Sequence, residues 1–429
     1  MSNMKNTSPA TITWHENKAQ VLKDLVTRDG DYARFQARRR QWCVINRPEH
    51  IGWLAKQVKT HTRIKPMHEM LVTSEGETWR AVRRLLSQYF FASNGPSYFE
   101  ITQRKTLELI EELSGHCGKI VDLSDKLRYL VSDIAIEHNF GEMSRRDKEM
   151  LIQAIIDYSE YQGVTLLFGP DVVYSVDLMK RFRRSVSVSE SIFSGLLDNY
   201  PGEDVENPKL LDGIVSGIET GVITRKQGIH EMIGMLLGSV EPNFGGVAAS
   251  LLCLELNPSA KQRILAEQVD SVGDGHLSYD YIDQAAWLEA FVKESLRYWP
   301  PAWVSIRELQ VDDTFGPNVI EKGTSVIVSA YLMHHHPEFW EQPEQFRPER
   351  FLSPELERQT PNTWLPFFLG THQCVGKLQA MVSMKTITAL FARHLVWEQP
   401  IGEPMWNFGI VSTPKPGSMQ WQLARVAHR

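Results

Sequence analysis

The segment Phe367–Gly376, FFLGTHQCVG, constrains this 429-residue chain more than any other. It sets one cysteine, Cys374, between two glycines and directly ahead of KLQAMVSMKTITALFARHL, where apolar residues return every three or four positions and predict an amphipathic helix. A thiolate that is to bind a metal needs backbone N–H groups aimed at the sulfur and an approach that no bulky side chain blocks. Gly370 and Gly376 permit such a backbone path. Phe367 is placed to shield the sulfur from water, and His372 to reach an anionic cofactor edge. A place just before a helix N-terminus also lowers a thiol pKa and favours the anion. Taken alone, one cysteine with two glycines describes equally a buried free thiol in a loop.

The bulk properties narrow the setting. The formal net charge is −6 with a pI near 6.2, which lacks the basic field that broad nucleic-acid binding needs. Four cysteines (Cys43, Cys117, Cys253 and Cys374) make no disulfide framework, and no CxxC pair suggests zinc. A reducing compartment follows. The first twenty residues are polar and lack the apolar core of a signal peptide. The longest apolar candidate, Met232 to Val240, is far short of the ~18 residues of a membrane span. These features predict a cytoplasmic protein without a membrane anchor.

Along the chain, Asp31 to Val44 alternates like strands around a basic run, and Glu77–Phe90, Asp122–Phe140 and Tyr281–Tyr298 carry helical periodicity. Short β-like pieces stand at Gly323–Ser329 and Met419–Val426, and Pro337–Phe367 reads as an ordered meander. The expectation is a mainly α chain with small β-sheets: a flexible segment over 1–20, then one domain over 21–429. His334, His335 and His336 invite a metal reading, but consecutive residues point in different directions and no carboxylate or cysteine cluster accompanies them.

With its spacing included, F-x-x-G-x-H-x-C-x-G resembles the haem-ligand signature of the cytochrome P-450 family, matched here by Phe367, Gly370, His372, Cys374 and Gly376. Two further elements, in the family's order, strengthen the resemblance. KESLRYWPP carries Glu294 and Arg297 at i and i+3, on one helix face, and FRPERF carries Arg350. They resemble the family's ExxR and PERF elements. The resemblance covers Tyr32 to the C-terminus. It implies a triangular-prism helical body around a buried haem b, with Cys374 as the axial ligand to iron. It also implies a buried structural triad of Glu294, Arg297 and Arg350, and propionate contacts from Trp79 and Arg83 in W-x-x-x-R, from Arg307 and from His372.

The central helix departs from the family. There a carboxylate is usually followed by Thr, a pair that helps deliver protons at the haem. Here GSVEPNFGG places Glu241 at the carboxylate position, seventeen residues before Pro258, and Pro242 at the alcohol position. Proline has no hydroxyl and no N–H. Glu241 and Asn243 are therefore the candidates to manage protons or substrate polar groups, with Ser239 or a water in reserve. A substrate that supplies its own acidic hydrogens, such as a phenol, would suit a site without the alcohol. The segment Leu54–Trp79, where the family's lid lies, is short; it offers Met67, Met70, Leu71, His61 and His68 but no Phe or Tyr. Leu237, Gly238, Pro242, Ala302, Trp303, Val304, Phe408, Ile410 and Val411 are the candidate pocket walls, also by resemblance.

Together these imply a haem-thiolate oxidoreductase acting on a small organic, aromatic substrate of secondary metabolism by monooxygenation. The alternative is oxidative radical coupling of phenols without oxygen insertion, and a rival from another class is a non-catalytic haem carrier or sensor. Electrons would come from a separate ferredoxin or flavodoxin, docking on Arg80, Arg84 and Lys377.

Overall fold

The computed structural model describes residues 18–37, 40–57, 61–63, 70–168, 175–273, 275–315, 318–353, 355, 361–400, 405–409, 411–415 and 418–426. In chain order the helices are α1 (Lys18–Asp29), α2 (Pro48–Lys56), α3 (Gly76–Ser87), α4 (Gly95–Ser114), α5 (Leu123–Phe140), α6 (Arg145–Phe168), α7 (Val176–Asp198), α8 (Leu210–Glu219), α9 (Arg225–Leu256), α10 (Pro258–Val272), α11 (Tyr279–Gln284), α12 (Ala286–Tyr298), α13 (Ala330–His334) and α14 (Lys377–His394). Most of the segment expected to be flexible, residues 1–17, lies outside the described residues, and residues 18–20 open α1.

Side chains fix the ends of the helices. Asp122 accepts the Ser124 N–H at 2.9 Å and starts α5. Thr224 and Gln227 cap α9 reciprocally. α9 is apolar nearly all round and is buried along most of its length, as such a helix must be. It packs against α5, α8, α12 and α14. One expectation needs correction: the helical stretch Tyr281–Tyr298 is two helices, broken at Ala285. The break is stabilised from a distance, because Glu267 of α10 accepts the N–H groups of Trp287 at 2.7 Å and Leu288 at 3.0 Å. No Pro or Gly marks it.

The strands are few and short. β1 (Arg34–Ala37) and β2 (Arg40–Val44) form the hairpin that the alternation suggested. With β3 (His61–Arg63), β5 (Val304–Leu309) and β8 (Ser325–Ser329) they make a sheet of order β1-β2-β8-β5-β3. β6 (Asp313–Phe315) pairs with β7 (Asn318–Ile320). β4 (Ile120–Asp122), β9 (Leu395–Pro400) and β12 (Gln420–Val426) form a second sheet, and β10 (Trp406–Phe408) pairs with β11 (Ser412–Pro414). The meander from Pro337 holds a 3-10 turn at Pro348–Phe351.

Candidate functional site

The cysteine loop is built as its spacing requires. Gly370–His372 forms a 3-10 turn, the Cys374 N–H donates to Phe367 O at 3.0 Å, and Gly376 caps α14. Gly370 has φ +73, and a Cβ there would stand 2.3 Å from Ala55 O of α2. Both facts demand glycine. Gly370→Ala should therefore cost at least about 1–3 kcal/mol in backbone strain alone. An unchanged urea midpoint and an unchanged cofactor content would refute that reading.

Cys374 is exposed only on the side of a cavity of about 280 Å³ that lies between this loop and α9. Protein surrounds the sulfur elsewhere, and that burial reverses one expectation. The thiol is raised above its ordinary value, because desolvation outweighs the pull of the Gly376 N–H, Arg83 and Lys377. Phe367, buried against Trp364, and Gly376 line the same cavity.

The rim on the α3 side is cationic. Trp79 stacks edge-on against His372 with ring centroids 4.3 Å apart. The Arg83 guanidinium donates to Gln373 O at 3.1 Å and lines the cavity; among the described residues no carboxylate pairs with it. Arg307 does not line the cavity. It meets Glu75 at 3.6 Å, and Glu75 also meets His372 at 2.9 Å. Glu75 is a member of this cluster that sequence reasoning missed, since a lone acid before a helix carries no motif.

On the opposite wall, α9 presents Gly234, Met235, Gly238, Ser239, Pro242 and Asn243 to the cavity. Leu237 and Glu241 sit one residue off that face and do not line it. Glu241 is buried and pairs with Arg128 of α5 at 3.1 Å, and Arg128 lies over the Phe244 ring. The expected role of Glu241 at the cavity is thus corrected: its carboxylate faces a cation behind the helix. Asn243 does reach the cavity, where its Nδ2 donates to Ser383 Oγ of α14 at 3.0 Å. Beside this pair stands Tyr98 of α4, another residue that no motif announced, with a phenol pushed up to about 12 by burial.

Of the remaining wall candidates, Ala302 lines the cavity. Trp303 points the other way: it is fully buried with Phe408 and Val304 in a separate core, and its indole donates to Gly409 O at 2.9 Å. Those three are therefore not cavity walls, nor is Val411. Ile410, Met67 and His68 lie outside the described residues, as does the side chain of His61. Met70 packs beside the cavity, and Leu71 and Val72 line it.

Glu294, Arg297 and Arg350 come together in the interior. Arg297 Nε meets Glu294 at 2.7 Å, both side chains fully buried, and Arg350 Nε approaches Glu294 at 3.4 Å. Arg297 Nη2 donates to the second Glu294 oxygen at 2.9 Å, the other Arg297 donors go to the carbonyls of His334, Pro343 and Gln345, and Glu294 also accepts the Arg347 N–H at 2.7 Å. The triad thereby ties α12 to the meander. The three histidines go separate ways: His334 accepts the Leu365 N–H and pairs with Arg297 O, His335 turns to Tyr331 O, and His336 meets Asp31.

These features fit a flat, dianionic, thiolate-ligated cofactor. A sulfur faces one side of a slot, side-chain-free Gly238 stands across it, and a guanidinium faces the cavity without a carboxylate partner among the described residues. The cytochrome P-450 family model matches residues 15–421. A cytochrome P-450 of Mycobacterium tuberculosis is 27% identical over 205 residues, which cover 48% of this chain and only 44% of that relative's length. A cyclooctat-9-en-7-ol 5-monooxygenase of Streptomyces melanosporofaciens is 22% identical over 334 residues, 75% of this chain and 71% of that one. A retinoic acid-bound cyanobacterial cytochrome P-450 superposes with a TM-score of 0.83 at 19% identity, covering 95% of this chain and 94% of the other, and so shares the fold. The chain belongs to the cytochrome P-450 family, whose members hold haem through a cysteine thiolate.

Proposed function

We propose that this protein is a haem-thiolate monooxygenase of secondary metabolism that acts on a small apolar, aromatic molecule, with Cys374 as the iron ligand. The observation that carries this reading is the placement of Cys374 and the Arg83 guanidinium on one cavity opposite α9. Haem b held there supplies dioxygen chemistry, which the electron-donating thiolate favours. Trp79, Arg83 and His372 would hold the propionates, and Arg307 would support His372 through Glu75. Leu71, Val72, Met235 and Ala302 surround the substrate with apolar surface, while Gly234 and Gly238 leave a flat slot between them. The exposed Arg80, Arg84 and Lys377 offer a basic face to an acidic ferredoxin or flavodoxin. Purified protein should carry haem. After reduction, carbon monoxide should shift its absorption to the red, as thiolate ligation demands; a colourless protein would end this reading.

A second reading, oxidative coupling without oxygen insertion, is favoured by α9. Pro242 brings no hydroxyl to the cavity, and Glu241 is turned to Arg128. Pro242→Thr separates the two. If the missing alcohol is a deficit, product formed per reductant consumed should rise, since a positioned proton donor speeds its step by roughly 10²–10⁴-fold. No gain, with a phenolic substrate still turned over, would favour coupling.

A further inference from the structure

The cavity is bordered by a short strip that one buried carboxyl fastens. Residues Met70–Ser74 form a tight turn in which the Thr73 and Ser74 N–H groups donate to Met70 O at 2.8 and 2.7 Å. Leu71 and Val72 of this turn line the cavity. The strip lies directly on α9: a Cβ on Gly234 would stand 2.9 Å from the Met70 sulfur. One turn earlier on α9, Glu231 is 3% exposed and accepts the Leu71 N–H at 2.8 Å.

We propose that Glu231 is a positioning residue that clamps the Met70–Ser74 strip to α9 through its buried carboxyl, so that the protonation of this one side chain sets how tightly a ligand is held in the cavity. The inference rests on the reading of that cavity as the ligand chamber. An ionised carboxylate accepts a stronger hydrogen bond from an amide than a neutral carboxyl does. Ionising it beneath the strip, however, strands a charge away from water, and that cost is the larger of the two.

Burial drives the Glu231 carboxyl up to about 7, against the smaller pull of the Leu71 N–H. The charged groups on the surrounding elements are engaged elsewhere. His230 meets Glu190 of α7 at 3.3 Å, Arg225 pairs with Asp198, Asp212 of α8 accepts from Tyr200 and the Lys209 N–H, and Glu75 holds His372 and Arg307. Among the described residues none shifts the Glu231 proton. The folded pKa is raised, so the proton stays on through the acidic range and leaves as pH rises through neutrality. Closure over the carboxyl is what raises it, so the neutral form favours the closed strip and the clamp loosens on the alkaline side.

The probe is a bulky phenyl-substituted 1,2,4-triazole, which does not itself titrate between about pH 5.5 and about pH 8.5, unlike imidazole. Its dissociation from the haem-loaded protein, followed by the ligand-induced spectral shift, should quicken about tenfold across that range, the effect of about one pKa unit of difference between the closed and the open strip. Glu231→Gln keeps the shape and an acceptor but cannot ionise. It should give a flat profile near the acidic limit. A flat wild-type profile, or an unaltered step in Glu231→Gln, overturns the proposal. Amide exchange of the peptide spanning Leu71, normalised to a peptide of α14, provides a measurement that needs neither variant nor haem. Protection there should fall through neutrality in the wild type, and an unchanged protection counts equally against the clamp. Failure to bind haem, by contrast, would leave the exchange result standing and strike only at the proposed function.

Discussion

Cys374→Ser should abolish the red-shifted carbon monoxide band of the reduced protein and most of its turnover while leaving the helical content intact. The substitution removes a sulfur that faces a cavity and supports no packing of its own, and the loop is closed by the backbone bond from Cys374 N to Phe367 O, which serine keeps. The hydroxyl is a far weaker donor to iron than the thiolate, so the loss is expected to be complete within the sensitivity of the spectrum. Absorption spectra of both proteins at matched haem content, with circular dichroism as the check on folding, decide the matter. A variant that retains the shifted band would show that another residue is the ligand.

The second large effect concerns stability. Glu294→Ala removes the common partner of Arg297 and Arg350 and leaves the fully buried Arg297 with carbonyls alone. Breaking a buried ion pair from one side costs roughly 3–5 kcal/mol, because the remaining charge is stranded. That is a large share of the ~5–15 kcal/mol that holds a protein folded. Little soluble, pigmented Glu294→Ala protein should be recovered. Arg350→Ala should be milder, since Arg350 is at the edge of the cluster and Arg297 still neutralises Glu294. Normal yield and haem content in both variants would show that backbone carbonyls suffice to hold the meander.

How far the sequence could be read depends on how local the deciding interactions are. The cysteine loop was legible because its constraints lie within ten residues: a turn, a cap and a helix start. The triad was legible because a fixed i, i+3 pair sits beside a rare Pro-Arg pattern. The break at Ala285 was not, because the groups that satisfy the freed N–H groups belong to Glu267 on another helix. Glu241 was misassigned for a similar reason. Its position along α9 could be counted, but Arg128, which decides where its carboxylate turns, comes from α5. Trp303, Val304 and Phe408 show the limit of placing walls by resemblance, since a neighbouring core claims them all. Tyr98, Glu75 and Glu231 were invisible because isolated polar residues have no period.

The sheet β4-β12-β9 has a consequence for how the molecule comes to exist in a cell. Trp421 pairs with Val121 and Gln420 with Asp122, Leu423 bonds to Gly118 and Lys119, and Leu123 donates to Met419 O. The turn that launches α5 is therefore completed by residues about 300 positions downstream, and contacts of such separation form late. The parallel pairing of β2 with β8 spans a similar distance. A nascent chain emerging from the ribosome can wind its helices early, yet it cannot close either sheet until most of the polypeptide has been made. Until the last strand docks, these sheet edges stay unpaired, and that interval is when the chain is most prone to aggregate.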